Sequence, residues 1–376
     1  MKVAFVNLQL SGELTGVTRA ISGQARACVE AGVPIDFWVV NPGKRGEEGG
    51  LHFAQFEESR LGARATRFFK ARLLKQVREL EAYDVIILRY PLAIDLDPLA
   101  FVEGTRAKII TVHHTREIDE LLSAGRTAGA MARALIEQVN GARVLRRVAG
   151  IAAVTDEIRR YELQRAGTVR PSTVVANGID VERVPQTGFV PFDGRELRML
   201  FIASSHAPWH GTDRLLASLR SYRGPVQLRL EMIGGASGAS PGTTEREGPL
   251  TIHHHGTLTG APLDAVFRTA NVAFSSLAMF RTGLREACVL KTREYVARGM
   301  PFVYGYDDVD LLEPQPFCLG VGNSDSAFPV DRIIDFAKAC AERRGLSDEM
   351  RAFAKARLDW KVKMQAFWDF ANEVSR

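Results

Sequence analysis

Short apolar runs alternate with amphipathic stretches along most of the chain, and this alternation predicts strands joined by helices. Strand-like runs fall at 2–7, 35–40, 84–89, 108–112, 150–155 and 172–176. A loop of Pro, Gly and Asp at 185–194 interrupts the pattern, which restarts at 197–203, 226–234, 250–256, 271–277, 301–306 and 317–321. Runs of this kind, each followed by a helix, belong to parallel doubly wound sheets. The expected fold is α/β, with a Rossmann-like domain over 1–185 and a second over 186–358. A last helix over 359–376, containing Trp360 and Trp368, is expected to pack back on the first domain. The polar stretch 234–249 reads as a loop by composition.

Composition narrows the class without naming a function. The 376 residues are 46% hydrophobic and 25% charged, ordinary for a two-domain globular chain. No run reaches the roughly 18 apolar residues that a membrane span needs. The opening MKVAFVNLQL enters a strand with no leader pattern, so a cytoplasmic protein is expected, with peripheral contact to the inner face of the cell membrane left open. Cys28, Cys288, Cys318 and Cys340 are widely spaced, which argues against a disulfide framework or structural zinc. A net charge of +5 permits weak attraction to anionic lipid; no nucleic-acid partner is expected.

Ligands of open parallel sheets bind beyond the carboxyl ends of the strands, so the residues there are the candidates. Gly16 enters a helix after the first strand, as a phosphate-cradling glycine or a plain turn. The segment is not GxGxxG, which weakens a nicotinamide reading. His113 and His114 end the 108–112 strand, where an imidazole can donate to a sugar hydroxyl or be satisfied by backbone as a helix-entry residue. Trp209, His210 and Gly211 open a helix containing Asp213 and Arg214. His253, His254 and His255 alternate between faces of a strand, poor geometry for a shared metal. Glu286, in the loop before the first turn, and Glu294, two turns inside, flank the start of a helix that runs to Gly299, and the free amides there favour a diphosphate.

The ordered motifs VHHT, AVTDEI, VVANGID, WHGTDRLL, MIGG, HHHGTL and REACVLKTREYVARGMPF resemble glycosyltransferase family 4, retaining enzymes of the GT-B fold. The resemblance covers nearly the whole chain and implies two such domains facing across a cleft, with no cofactor beyond the nucleotide-sugar substrate. It implies that Glu286 contacts the donor sugar, that Glu294 holds the ribose hydroxyls, that His114 lies near donor sugar and acceptor, and that Gly16 lies near the diphosphate. A carboxylate suits a ribose because it accepts from two hydroxyls at once. Members usually carry an Arg after the strand that ends here at Ala203-Ser204, and a Lys where His210 stands. A protonated His210, Lys291 and Arg285, with Arg281 further off, are the substitutes for the diphosphate, alongside Gly211, Val289 and Leu290 on the donor side. Val289 stands where a glycine is usual.

The implied reaction moves a sugar from a nucleoside diphosphate to an acceptor hydroxyl, on a glycan or lipid-linked glycan of cell-surface polysaccharide synthesis, with retention and without a metal. Asp95-Leu96-Asp97 is the nearest approach to a DxD, and helix capping suits it better. The stretch 60–78 reads as a basic amphipathic helix with Arg60, Arg64, Arg67, Lys75 and Arg78 on one side, fit for anionic lipid or simply solvated. Because of the missing Arg and Lys, a catalytically silent partner subunit or sugar-nucleotide sensor is the competing reading.

Overall fold

The computed structural model describes residues 1–10, 16–56, 66–123, 125–203, 207–235 and 239–376, with backbone alone at 16–19. The chain divides into two compact units, Met1–Asp180 with Trp360–Arg376, and Val181–Asp359. No helix among the described residues is long and apolar enough to cross a membrane.

The first unit is built on β1 (Val3–Leu8), β2 (Ile35–Asn41), β3 (Gly46–Glu48), β4 (Leu51–Gln55), β5 (Val85–Arg89), β6 (Lys108–His113), β7 (Gly150–Ala153) and β8 (Ser172–Val174). They order as β3-β4-β2-β1-β5-β6-β7-β8, parallel throughout except for the β3–β4 edge pair. Strand periodicity gives each face its own core. Val3 and Phe5 face one cluster with Phe37, Ile87 and Phe367, while Ala4 and Val6 face another with Ile86, Leu88 and Leu145. Between the strands run α1 (Gly16–Ala31), α2 (Lys70–Lys75), α3 (Glu117–Ser123), α4 (Ala128–Leu145) and α5 (Asp156–Ala166). The strand order reverses between β1 and β5, which makes their carboxyl ends the switch point of this sheet.

The second unit repeats the plan. Its strands are β9 (Glu196–Ile202), β10 (Gln227–Ile233), β11 (Thr243–Glu247), β12 (Leu250–Gly256), β13 (Val272–Phe274), β14 (Glu286–Ala287), β15 (Phe302–Tyr304), β16 (Asp307–Asp308) and β17 (Cys318–Gly320). The main sheet orders β11-β12-β10-β9-β13-β15-β17, and β14 pairs separately with β16. Its helices are α6 (Thr212–Ser221), α7 (Ala261–Phe267), α8 (Leu290–Arg298), α9 (Val330–Glu342) and α10 (Leu346–Phe353). Met199 and Phe201 pack against Leu215, Leu219 and Ile333 in its core. Here the order reverses between β9 and β13. The last helix, α11 (Trp360–Ser375), returns to the first unit, where Trp360, Phe367 and Phe370 lie buried.

Several local expectations change. Residues 243–247, read as loop, pair antiparallel with β12, and His254 on that strand meets Glu245 at 2.9 Å. Glu286 lies in a two-residue strand rather than a loop. Glu294 sits one turn inside α8 rather than two, since the helix starts at Leu290. Of the basic stretch 60–78, residues 57–65 lie outside the described residues, Arg60 and Arg64 among them. The rest is not one helix: α2 spans Lys70–Lys75 and a separate 3-10 turn spans Arg78–Ala82. Its apolar side, Ala71, Leu73 and Leu74, is buried in the first unit, and Arg72 pairs with Asp97 at 3.3 Å. Asp95 does cap a helix, accepting from the Ala71 amide at 2.9 Å, although the helix lies upstream.

Candidate functional site

In the second unit the loops that leave the two switch strands are stitched together. After β9 the chain makes a 3-10 turn, Pro208–His210, and passes through Gly211 into α6. Gly211 has φ +67°, and a Cβ there would stand 2.9 Å from the Leu277 Cβ, so both backbone and space demand glycine. The Leu277 and Ala278 amides donate to the carbonyls of His210 and Trp209, both at 3.1 Å. The Ser276 hydroxyl, just beyond β13, lies 3.3 Å from His210 Nδ1.

Lys291, in the first turn of α8, reaches into this seam. Its Nζ donates to the Ile202 carbonyl at the end of β9 (3.1 Å) and to His210 Nδ1 (3.2 Å), and it lies 4.9 Å from the centre of the Phe201 ring. Nδ1 of His210 is therefore an acceptor, and the ring proton sits on Nε2. Burial, and then the Lys291 charge, push the His210 pKa down to about 3; the expected protonated His210 is replaced by a neutral imidazole. Burial also pushes Lys291 down to about 7. Neither α6 nor α8 has a side-chain cap at its N-terminus, where Gly211 and Val289 stand. First-turn amides and an ammonium whose partners among the described residues are all neutral thus share one spot.

The other basic groups already have partners, acids or backbone carbonyls. Arg281 pairs with Asp213 at 2.8 Å and also with Asp325. Arg285 is exposed and pairs with Asp307 at 3.6 Å. Arg214 is buried and donates to the carbonyls of Leu277, Val321, Gly322 and Ser326. Arg293, which sequence reading passed over, is fully buried and pairs with Asp308 and, at 2.6 Å, with Asp310. That contact ties α8 to β16, which pairs with β14 and so sets the position of Glu286. A buried cluster of Ser275, Thr292 and Tyr306 hydroxyls ties the first turn of α8 to the end of β13. Glu294 is half-buried; its Oε1 accepts from Arg298 Nε at 2.8 Å, and Arg298 also meets Asp264 at 2.7 Å. Leu290 is exposed at the helix start.

In the first unit Gly16 is the first residue of α1, following β1, and residues 11–15 before it lie outside the described residues, as does Ser204 in the second unit. His114, just after β6, accepts at Nε2 from Arg89 Nη1 at 2.9 Å, which leaves the proton on Nδ1. Burial, then the nearby Arg89 and His113, hold its pKa well below the usual range. His113 turns the other way. It is buried, donates from Nδ1 to Glu117 Oε1 at 2.7 Å, and stacks near Tyr90.

His113, Glu117 and Glu162 offer ligand atoms within 4.8 Å of one another. Arg165 already occupies the cation position between the acids: its Nη1 donates to Glu117 at 3.2 Å and Glu162 at 2.9 Å, and its Nη2 to Glu137 at 2.7 Å. Burial opposes a charge on Glu117, but His113 and Arg165 outweigh it and hold the carboxyl down at about 2. Burial and the Glu117 charge push Glu162 well up. Gly141 lies mid-helix in α4 because this network fills the space, a Cβ there falling 2.1 Å from Arg165 Nη2. The histidine triplet is structural: His253, His254 and His255 bond Thr244, Glu245 and Glu231 respectively.

The whole chain has the fold of sucrose-phosphate synthase from Thermosynechococcus elongatus (12% identity, 99% of this chain and 98% of that one, TM-score 0.65). It is likewise similar to HepE of Anabaena solved with UDP-glucose (14% identity, 100% and 99%, TM-score 0.59), and to α,α-trehalose 6-phosphate synthase from Burkholderia multivorans (15% identity, 99% and 98%, TM-score 0.57). No curated protein sequence matches it. Residues 14–183 match the family model described as Glycosyltransferase Family 4. The chain has the GT-B fold of these glycosyltransferases, and the Family 4 pattern is matched over residues 14–183. The match stops short of Glu286 and Glu294, so the roles of that pair rest on the second unit's own geometry.

Proposed function

We propose that the chain transfers a sugar, with retention, from a nucleoside-diphosphate donor to a hydroxyl of a glycan or lipid-linked glycan acceptor. The observation that carries this reading is the seam between β9 and β13, where Lys291 meets His210 beside two uncapped helix starts. A diphosphate placed there meets the amides after Gly211, Val289 and Leu290, and one ammonium that pairs with no carboxylate among the described residues. Lys291 takes this role in preference to Arg285, which is exposed and faces Asp307. His210 serves as a neutral donor through Nε2–H, not as a charge.

Glu294, with Oε1 on Arg298, keeps Oε2 for the ribose hydroxyls. Glu286, set by the β14–β16 pair, contacts the donor sugar. In the first unit Gly16 begins α1 and His114 carries Nδ1–H; the family resemblance assigns the former to the diphosphate and the latter to the sugar or the acceptor. The bond from the anomeric carbon to the leaving phosphate breaks while the acceptor oxygen bonds the same face, and the acceptor proton passes to a leaving phosphate oxygen. Lys291 and the helix amides stabilise the charge that builds on that phosphate. The crystallised complex of HepE with UDP-glucose is a similar fold with such a donor.

Peripheral contact with anionic lipid is better carried by α4 than by residues 60–78. The solvent side of α4 exposes Met131, Leu135, Ile136 and Val139, with Arg133 and Arg143 on the same helix. The experiment that tests the donor site is a thermal-shift screen of nucleoside diphosphates, in which selective stabilisation by one base is expected. Indifference to every nucleoside diphosphate would overturn the reading.

A further inference from the structure

Arg89 closes β5, immediately beside β1 and on the edge where the strand order of the first unit reverses. The guanidinium is half-buried, and its bond partner is a neutral imidazole, Nε2 of His114 at 2.9 Å. Its neighbours are treated differently: Arg116 pairs with Asp119 at 2.8 Å, and Arg165 with three glutamates. No ion pair to Arg89 occurs among the described residues. Glu120, exposed and bonded to Thr115, acts on it only through space.

A guanidinium has five N–H donors and cannot shed its charge at neutral pH, so a half-buried one without a carboxylate has lost solvation without replacement. An anion in contact with it restores that loss. The Nδ1–H of His114 supplies a second donor on the same residue pair, its tautomer fixed by Arg89 itself. The His113 side chain does not compete, since it is committed to Glu117 within the core.

We propose that Arg89 and His114 bind an anionic group, phosphate or carboxylate, carried by the acceptor. This rests on the reading of the chain as a glycosyltransferase whose donor is held by the second unit, where Lys291 supplies a separate cation. The fork of Arg89 suits two oxygens of such a group, and the acceptor class narrows to phosphorylated or uronic sugars and diphosphate-linked glycans.

The test is calorimetric titration of the intact protein, its donor site saturated with the best-stabilising nucleoside diphosphate. The probes are a hexose 6-phosphate, a hexuronate, inorganic pyrophosphate and the neutral hexose. At least one anion is expected to bind roughly tenfold or more tightly than the neutral sugar, and Arg89→Gln to remove that preference, the weight of one or two charge-assisted bonds. Phosphate-bearing probes binding alone assign a phosphate group, and the hexuronate alone a carboxylate. Arg89→Lys, which keeps the charge and loses the fork, is expected to fall between. Equal binding of neutral and anionic sugars, an unchanged preference in Arg89→Gln, or no binding of any anion at millimolar concentration would overturn the proposal. Failure of the underlying reading is distinguishable, because then no nucleoside diphosphate binds at all.

Discussion

Lys291 Nζ stands 3.2 Å from Nδ1 of His210, so that a half-buried ammonium donates to a neutral imidazole. The cation stands at the start of α8 and reaches the seam at the start of α6. Replacing it isolates its role. Lys291→Met is expected to weaken nucleoside-diphosphate affinity by about 10- to 100-fold, the range of a charge-assisted hydrogen bond, with Tm of the unliganded protein held or raised. Isothermal titration against wild type reads the difference; equal affinities would return the diphosphate to Arg285 or to the amides alone.

The same lysine makes donor binding pH-sensitive. Burial has pushed its folded pKa down to about 7, so the ammonium is lost from the empty site as pH rises through that value. A bound diphosphate favours the charged form, and binding above pH 7 must then take up a proton. Affinity is expected to fall by up to about tenfold per pH unit between 7 and 9, and the fall to vanish in Lys291→Met. His210, down at about 3, stays neutral throughout this window. Titrations in buffers of different ionisation enthalpy measure the proton uptake directly.

Glu294 is assigned to the ribose, which pyrophosphate lacks. Glu294→Gln is expected to weaken a nucleoside diphosphate by about tenfold and leave pyrophosphate affinity unchanged. A common loss for both ligands would instead mark Glu294 as a partner that merely steadies Arg298.

Arg293 is a structural counterpart to these groups. Arg293→Met leaves Asp308 and Asp310 without their cation, Asp308 being fully buried, and is expected to cost about 3–5 kcal/mol of stability. Chemical denaturation reads it; a change below about 1 kcal/mol would mean that β16, and with it Glu286, is held by other contacts.

The outward face of α4 is tested with vesicles. Replacing Met131, Leu135 and Val139 by serine is expected to abolish sedimentation with anionic liposomes while leaving Tm within a few degrees, because all three side chains are exposed. Equal sedimentation of variant and wild type would remove lipid contact from this helix.

The sheets were legible because strand periodicity writes burial into the sequence: β1 alternates Val3 and Phe5 against Ala4 and Val6, and the two faces do face two cores. Helix ends such as Gly299 were legible for the same local reason. The sequence placed His114, His210 and Glu286 near strand ends and Glu294 in a helix, but which cation lacks a carboxylate among the described residues depends on partners distant in sequence. Arg281, Arg285 and Lys291 look alike in the chain; only folding brings Asp213, Asp325 and Asp307 to the first two and neutral oxygen and nitrogen to the third. Arg89 carried no local signal, since an arginine ending a strand is unremarkable until its lack of a carboxylate is seen. The 243–247 strand was hidden because an exposed edge strand needs no apolar pattern.

Turnover tests the central claim most directly. Proton NMR of the protein with the nucleotide sugar matching its best-stabilising base, and with acceptors bearing a phosphate or carboxylate, follows the anomeric signal of donor and product together. The account predicts consumption of an α-linked donor with appearance of an α-linked product, slowed by at least about tenfold in Lys291→Met. A β-linked product would contradict retention, and a donor that binds yet is never consumed with any acceptor would place the chain among silent partner subunits instead.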